Sequence, residues 1–288
     1  MLLRDGSYFC IMQAKGPIGI FDSGYGGLTV LKEIIKELPQ YNYLYLGDNA
    51  RAPYGSRTFE TVYHYTLQCL QWFFKQECPL VIVACNTASA KALRTIQQND
   101  LHQFGSSKRV LGVIRPTTEI IGNLTSSKHI GILGTTGTVQ SLSYVIEIEK
   151  FFPKVKVFQE ACPMWVPLIE NNEHLSAGAD YFVKKHLDNL LHQSSNIDTV
   201  LLACTHYPLL ISKIMQYLPT NIKIISQGNI VAESLKRYLN RHPEIEINCT
   251  KTGETNFFTT DSVDDFNKHA GIFFEKSIQS KHVNIPEE

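Results

Sequence analysis

Val81-Ile-Val-Ala-Cys-Asn-Thr-Ala-Ser-Ala90 and Val200-Leu-Leu-Ala-Cys-Thr-His-Tyr-Pro-Leu209 follow one pattern within a single chain. Each is a short apolar run that ends in Ala-Cys and then breaks into small polar residues. A run of that length, bounded by turn formers, predicts a strand buried on both faces of a parallel sheet. The polar break marks the carboxyl end of the strand, where open α/β sheets place their ligands. Cys85 and Cys204 are therefore expected at equivalent strand ends of two similar halves, facing each other across one substrate.

The repeat extends outward from the cysteines. Ile18-Gly-Ile20 and Ile130-Gly-Ile132 each enter a glycine-containing loop, Ser23-Gly-Tyr-Gly-Gly27 in one case and Gly134-Thr-Thr-Gly-Thr138 in the other. In the first half a strand over 17–22 precedes a helix whose Leu28, Leu31, Ile34, Ile35 and Leu38 share one face. A strand over 43–46, a helix over about 59–75, the strand ending at Cys85 and a helix over about 88–98 follow. The order restarts with strands at 110–114, 130–133 and 155–158, a helix near 177–191, and the strand ending at Cys204. Alternation of this kind predicts two pseudo-symmetric α/β domains, each a mostly parallel sheet flanked by helices. Residues 1–108, completed by 226–288, would form the first domain, and 109–225 the second. Residues 1–16 read as a leader, with Met1 or Met12 as its start.

Composition narrows the function classes. The chain has 288 residues, 43% hydrophobic and 19% charged, enough for packed cores in about two domains. Its formal net charge is +0, so the electrostatic footprint of a nucleic-acid or anionic-membrane binder is missing. An apolar run approaching the roughly 20 residues of a membrane span is missing too. The cysteine count is odd, with 7 residues and no C-x-x-C pair, which reads as reduced thiols in a cytoplasmic protein. No metal-ligand spacing is evident, no lysine stands in a Schiff-base context, and Trp72 and Trp165 read as core. A small ligand held by local groups, without metal or cofactor, is the expectation.

The individual residues each have a plainer reading. A cysteine at the end of a buried strand is usually an inert small hydrophobe. Two of them, each before a helix-opening turn that can stabilise a thiolate, point to chemistry. Asp22, at the end of the first strand, is either a helix cap or a carboxylate suited to an ammonium group or a thiol. It argues against a phosphate cradle, and no Gly-Lys-Ser/Thr follows. His206, two residues beyond Cys204, suits an acid/base partner. Glu170 is either a solvated helix residue or part of the same site. Asp48, Arg51, Tyr54 and Gly55 fall in an aperiodic loop of the kind that carries binding residues, where Arg51 is either a carboxylate anchor or structural.

Two like acid/base groups on opposite faces of one carbon are what stereoinversion requires. One thiolate removes a proton from one face, and the opposite thiol delivers one to the other. The motifs that carry these residues are Phe-Asp22-Ser23-Gly-Tyr-Gly-Gly-Leu, Gly-Asp48-Asn-Ala-Arg-Ala-Pro-Tyr54-Gly55, Ala-Cys85-Asn86-Thr87-Ala, Cys-Pro-Met-Trp-Val-Pro-Leu-Ile-Glu170 and Cys204-Thr205-His206-Tyr-Pro. In this order, over about 17–274, they resemble the glutamate racemases, cofactor-independent enzymes that supply D-glutamate for bacterial peptidoglycan.

The resemblance implies two α/β domains with the site in the cleft between them. It implies Cys85 and Cys204 as the acid/base thiols, Asp22 assisting the first, and His206 with Glu170 assisting the second. Asp22, Ser23, Tyr54, Gly55, Asn86, Thr87, Thr205 and His206 would contact glutamate. It further implies a homodimer, common among members, and leaves room for an activator of the cell-wall-precursor type. The chain departs from the family pattern at Ala203, where Gly commonly precedes the second cysteine, and in its longer leader. Aspartate or hydantoin racemases of the same superfamily are the nearest rivals, although aspartate racemases typically have Cys-Thr-Glu where this chain has Cys204-Thr205-His206. A two-domain amino-acid binding protein with inert thiols and a thiol redox enzyme are the alternatives from other classes.

Overall fold

The computed structural model describes residues 15–286. The reading of a leader, together with Cys10 and Met12, bears on residues 1–14, which lie outside the described residues. Among the described residues, ten strands build two sheets. β1 (Ile18–Asp22), β2 (Tyr43–Gly47), β3 (Leu80–Val83), β4 (Arg109–Gly112), β9 (Thr255–Thr259) and β10 (Ser280–His282) form the larger, in the order β10-β9-β2-β1-β3-β4. β5 (His129–Gly134), β6 (Lys156–Ala161), β7 (Thr199–Ala203) and β8 (Lys223–Ile225) form the smaller, ordered β6-β5-β7-β8. All pairings are parallel.

β1, β2, β3 and β7 are buried at every position, which is why they read as unbroken apolar runs rather than alternating ones. The edge strands β6, β8 and β10 are partly exposed and carry Lys156, Lys223 and Lys281, charges that discourage pairing with another chain. Helix Leu28–Glu37 buries Leu28, Leu31 and Ile34 and packs against helix Gly228–Arg241, which buries Val231, Leu235 and Leu239. One continuous hydrophobic cluster runs from Ile18, Leu31 and Tyr43 through Val231 and Leu235 to Leu133, Trp165 and Leu202. The two sheets thus share a core and are not beads on a string.

Three elements differ from the sequence reading. The strand near 110–114, assigned there to the second half, is β4, and it pairs with β3 from Leu80↔Arg109 to Val83↔Gly112. Strands in both sheets are short apolar runs, so pattern identifies the element but not its neighbour. The helix expected near 88–98 is two helices, Asn86–Lys91 and Leu93–Asn99, with the break at Ala92. β10 is a polar tripeptide without a strand signature. It pairs with β9, and β9 with β2, so the chain after helix Gly228–Arg241 adds two strands to the larger sheet.

The register repeats between the sheets. Gly19 of β1 pairs with Val81 of β3, and Gly131 of β5 pairs with Val200 of β7. Counting forward from these pairs, Ser23 is level with Cys85 and Thr135 with Cys204.

Candidate active site

The carboxyl ends of β1, β3, β5 and β7 open into one cavity of about 140 Å³. Ser23, Cys85, Asn86 and Thr87 line it from the larger sheet, and Thr135, Cys204, Thr205 and His206 from the smaller. Both thiols are 6% exposed. The structure brings both to this one cavity.

Cys85 caps helix Asn86–Lys91, its sulfur accepting from the Ala88 N–H at 3.5 Å, and meets the Ser23 hydroxyl at 3.4 Å. The helix-end argument taken alone favours a thiolate, but burial is stronger. Burial, aided by the neighbouring Asp22 carboxylate, pushes the thiol up to about 12 against the Ser23 and Ala88 hydrogen bonds. Cys85 therefore keeps its proton at neutral pH.

Asp22 is fully buried. Its carboxylate accepts from Gly24 N–H at 2.9 Å and from the Thr205 hydroxyl at 3.3 Å. Burial raises its pKa, opposed by His206 and by the N–H groups of Gly24 and Gly27. Asp22 acts on Cys85 through its charge, while its hydrogen bond reaches across to the other half.

Cys204 has a different partner. His206 Nδ1 lies 3.9 Å from its sulfur, a long sulfur contact, and His206 Nε2 lies 2.9 Å from Glu170 Oε1. Burial pulls the imidazole down, but hydrogen bonds to Cys204 and Glu170 outweigh it and bring His206 up to about 10. The imidazolium then donates from both nitrogens, one to sulfur and one to carboxylate.

The close fit of the halves is a backbone matter. A Cβ on Gly26 would stand 2.2 Å from Thr205 Oγ1 and 2.4 Å from His206 Nδ1. Thr29 Oγ1 donates to Thr205 O at 2.9 Å, Gly137 N to Gly55 O at 2.8 Å, and the Thr87 and Thr135 hydroxyls meet at 2.9 Å.

Tyr54 and Gly55 line the cavity, but the Tyr54 hydroxyl donates to Asp48. Arg51 is structural: its Nε lies 2.7 Å from Asp48 Oδ2 and its Nη1 2.6 Å from Gln68 Oε1. Sequence reading missed Thr135, legible through the Ile130-Gly-Ile132 repeat as the counterpart of Ser23. It also missed Cys162, Pro163, Val166 and Pro167 in the motif that leads to Glu170. Burial pushes the Cys162 thiol well up, so this third sulfur is a wall. One buried donor in the lining, Asn86 Nδ2, has no partner among the described residues.

The chain is similar to known proteins over most of its length. The family model described as Asp/Glu/Hydantoin racemase matches residues 18–235. A glutamate racemase of Geobacter metallireducens is 39% identical over 244 residues, covering 85% of this chain and 87% of that protein. Among solved structures, a glutamate racemase of Bacillus anthracis aligns with a TM-score of 0.86 at 34% identity, covering 95% of this chain and 99% of that one. One of Francisella tularensis, in complex with D-glutamate, aligns at 0.83 and 29% identity, covering 94% and 98%. The chain belongs to the Asp/Glu/hydantoin racemase family. Within it the chain falls with the glutamate racemases and is an isomerase acting on an amino acid.

Proposed function

We propose that the chain interconverts L- and D-glutamate with Cys204 and Cys85 as bases on opposite faces of the α-carbon. The observation that carries this reading is two buried thiols at register-equivalent strand ends lining one cavity. With His206 holding a proton beside it, the Cys204 sulfur accepts the α-proton from one enantiomer. Cys85, which keeps its own proton, delivers that proton to the opposite face. The two sulfurs end with their protonation states exchanged, and the reverse reaction uses the roles in reverse. His206, hydrogen-bonded to Cys204 and Glu170, balances charge on its side, whereas the Asp22 carboxylate disfavours negative charge on Cys85 and so makes its thiolate the stronger base in the reverse direction.

Among the described residues, no Lys or Arg lines the cavity. The substrate carboxylates would therefore be held by neutral donors, the free Asn86 Nδ2 and the hydroxyls of Ser23, Thr87, Thr135 and Thr205. Their dipoles would stabilise the charge that moves onto the α-carboxylate as the proton leaves. Tyr54 and Gly55 shape the wall. Pro163, Val166 and Pro167 exclude water, which strengthens each of these interactions.

The two sheets would be the cores of two domains, residues 17–112 with 226–286 and residues 113–225. The product would feed peptidoglycan synthesis in the cytoplasm, and no helix of the described residues is long and apolar enough to cross a membrane. Light scattering tests the homodimer that the resemblance implies. Assays with and without UDP-MurNAc-Ala, the activator in a solved Escherichia coli relative, test the activator.

The decisive assay follows L-glutamate by circular dichroism in D₂O without added cofactor, with mass spectrometry of the product. Loss of optical activity with one α-deuterium incorporated per inversion is expected. An unchanged signal without deuterium would favour the binding-protein alternative.

A further inference from the structure

The free donor of Asn86 belongs to a chain of hydrogen bonds that leaves the cavity. Asn86 is 2% exposed, and its Oδ1 accepts from the Tyr144 hydroxyl at 2.6 Å. Tyr144 is fully buried in helix Ser143–Phe151, which follows β5 of the smaller sheet. Its oxygen lies 2.8 Å from Gln227 Nε2, and the same nitrogen lies 2.9 Å from Thr117 Oγ1 and 3.0 Å from Val113 O. Val113 and Thr117 lie where the chain leaves the larger sheet, just after β4. Gln227 lies where it returns, just after β8. One amide therefore ties both crossings together and touches Tyr144. Neither Gln227 nor Tyr144 lines the cavity.

The direction of each bond follows from the groups. An amide NH₂ only donates, so the Tyr144 oxygen accepts from Gln227, and its single proton goes to Asn86 Oδ1. Burial keeps that phenol protonated. A flipped Asn86 amide would set NH₂ against the tyrosine and leave the phenolic proton without an acceptor, an expensive loss in a dry site. The orientation with Nδ2 free is the one the network enforces.

We propose that Gln227 and Tyr144 are positioning residues for racemisation, locking the Asn86 carboxamide so that Nδ2 faces the substrate carboxylate. This rests on the reading of Asn86 as a substrate donor. Asn86 stands on the larger sheet's half and Tyr144 on the smaller sheet's, so the donor is aimed only while the halves are seated together. Binding and interdomain seating are coupled through one hydroxyl.

The test measures kcat and KM in both directions for Asn86→Ala, Tyr144→Phe, Gln227→Met and the double variant Asn86→Ala/Tyr144→Phe, with thermal unfolding alongside. Asn86→Ala should lower kcat/KM about 100-fold and Tyr144→Phe about tenfold, mainly through KM. The double variant should be no worse than Asn86→Ala within about twofold, because Tyr144 acts only through Asn86. Gln227→Met should match Tyr144→Phe and supplies the same test where the tyrosine variant folds poorly.

Multiplying losses in the double variant, or normal kcat/KM in both Tyr144→Phe and Gln227→Met, would overturn the positioning role and leave the Asn86 reading intact. Normal kcat/KM in Asn86→Ala would overturn both.

Discussion

The two half-sites share a register and differ in chemistry. Counting from the paired glycines, Ser23 corresponds to Thr135, Cys85 to Cys204 and Asn86 to Thr205. The correspondence fails at two places: Asp22 stands where the other half has Gly134, and His206 stands where this half has Thr87. A carboxylate in one half and an imidazole in the other make the pair electrostatically unequal. Cys85 is held as a thiol by burial beside Asp22, while Cys204 faces an imidazolium braced by Glu170. A symmetric backbone thus carries an asymmetric charge set, a carboxylate beside one thiol and an imidazolium beside the other. Two identical half-sites would put like groups in competition for one proton.

The largest test of that comparison removes a thiol. Cys85→Ala or Cys204→Ala should each lower racemisation by at least about 10⁴-fold while glutamate still raises the unfolding temperature. Activity near normal in either variant would end the two-base reading.

His206→Asn comes next, with about a 100-fold loss of kcat/KM. Enantiomers have an equilibrium constant of one, so the loss must be equal in both directions. The asymmetry should appear instead in the primary deuterium isotope effect, rising only where Cys204 removes the proton. An equal rise in both directions would mean His206 serves both thiols.

The same residue sets a pH signature. Its folded pKa, about 10, lies above the ordinary 6.5. Between those values the native state holds a proton that the unfolded chain has released, so stability should fall as pH rises through this window. The contribution is complete below 6.5 and gone above about 10. Urea unfolding at pH 7 and pH 9.5 should show the decline in the wild type and a flatter profile in His206→Asn.

Gly26→Ala probes the seating of the halves. Its new methyl would collide with Thr205 and His206, so a loss of roughly 1–3 kcal/mol in stability and about tenfold in kcat is expected, with Cys85 unaltered. The smallest effect should come from Tyr54→Phe. Its hydroxyl is committed to Asp48, so KM should stay within about threefold while stability drops by ~1–2 kcal/mol. A tenfold KM change would return that hydroxyl to the substrate.

Much of this was legible in the chain itself. Strands buried on both faces must be apolar throughout and must break into polar residues where they end. Hence Val81–Cys85 and Val200–Cys204 declared both their conformation and their polar ends, and the Ile-Gly-Ile repeats declared two similar halves. The residues that could carry proton chemistry, Asp22, Cys85, Glu170, Cys204 and His206, were nameable because they interrupt apolar strands or short motifs.

Tertiary structure alone decided the rest, because side-chain partners come from elements distant in sequence. Membership of β4 and β10 in the larger sheet depends on neighbours that local pattern does not encode. Whether Arg51 and the Tyr54 hydroxyl turn toward substrate or toward Asp48 depends on the space around the loop. The protonation of Cys85 was set by burial over helix capping, two effects that sequence places side by side without their magnitudes. Gln227 and Tyr144 carry no local signature at all. Their role exists only because folding brings both interdomain crossings against one buried amide.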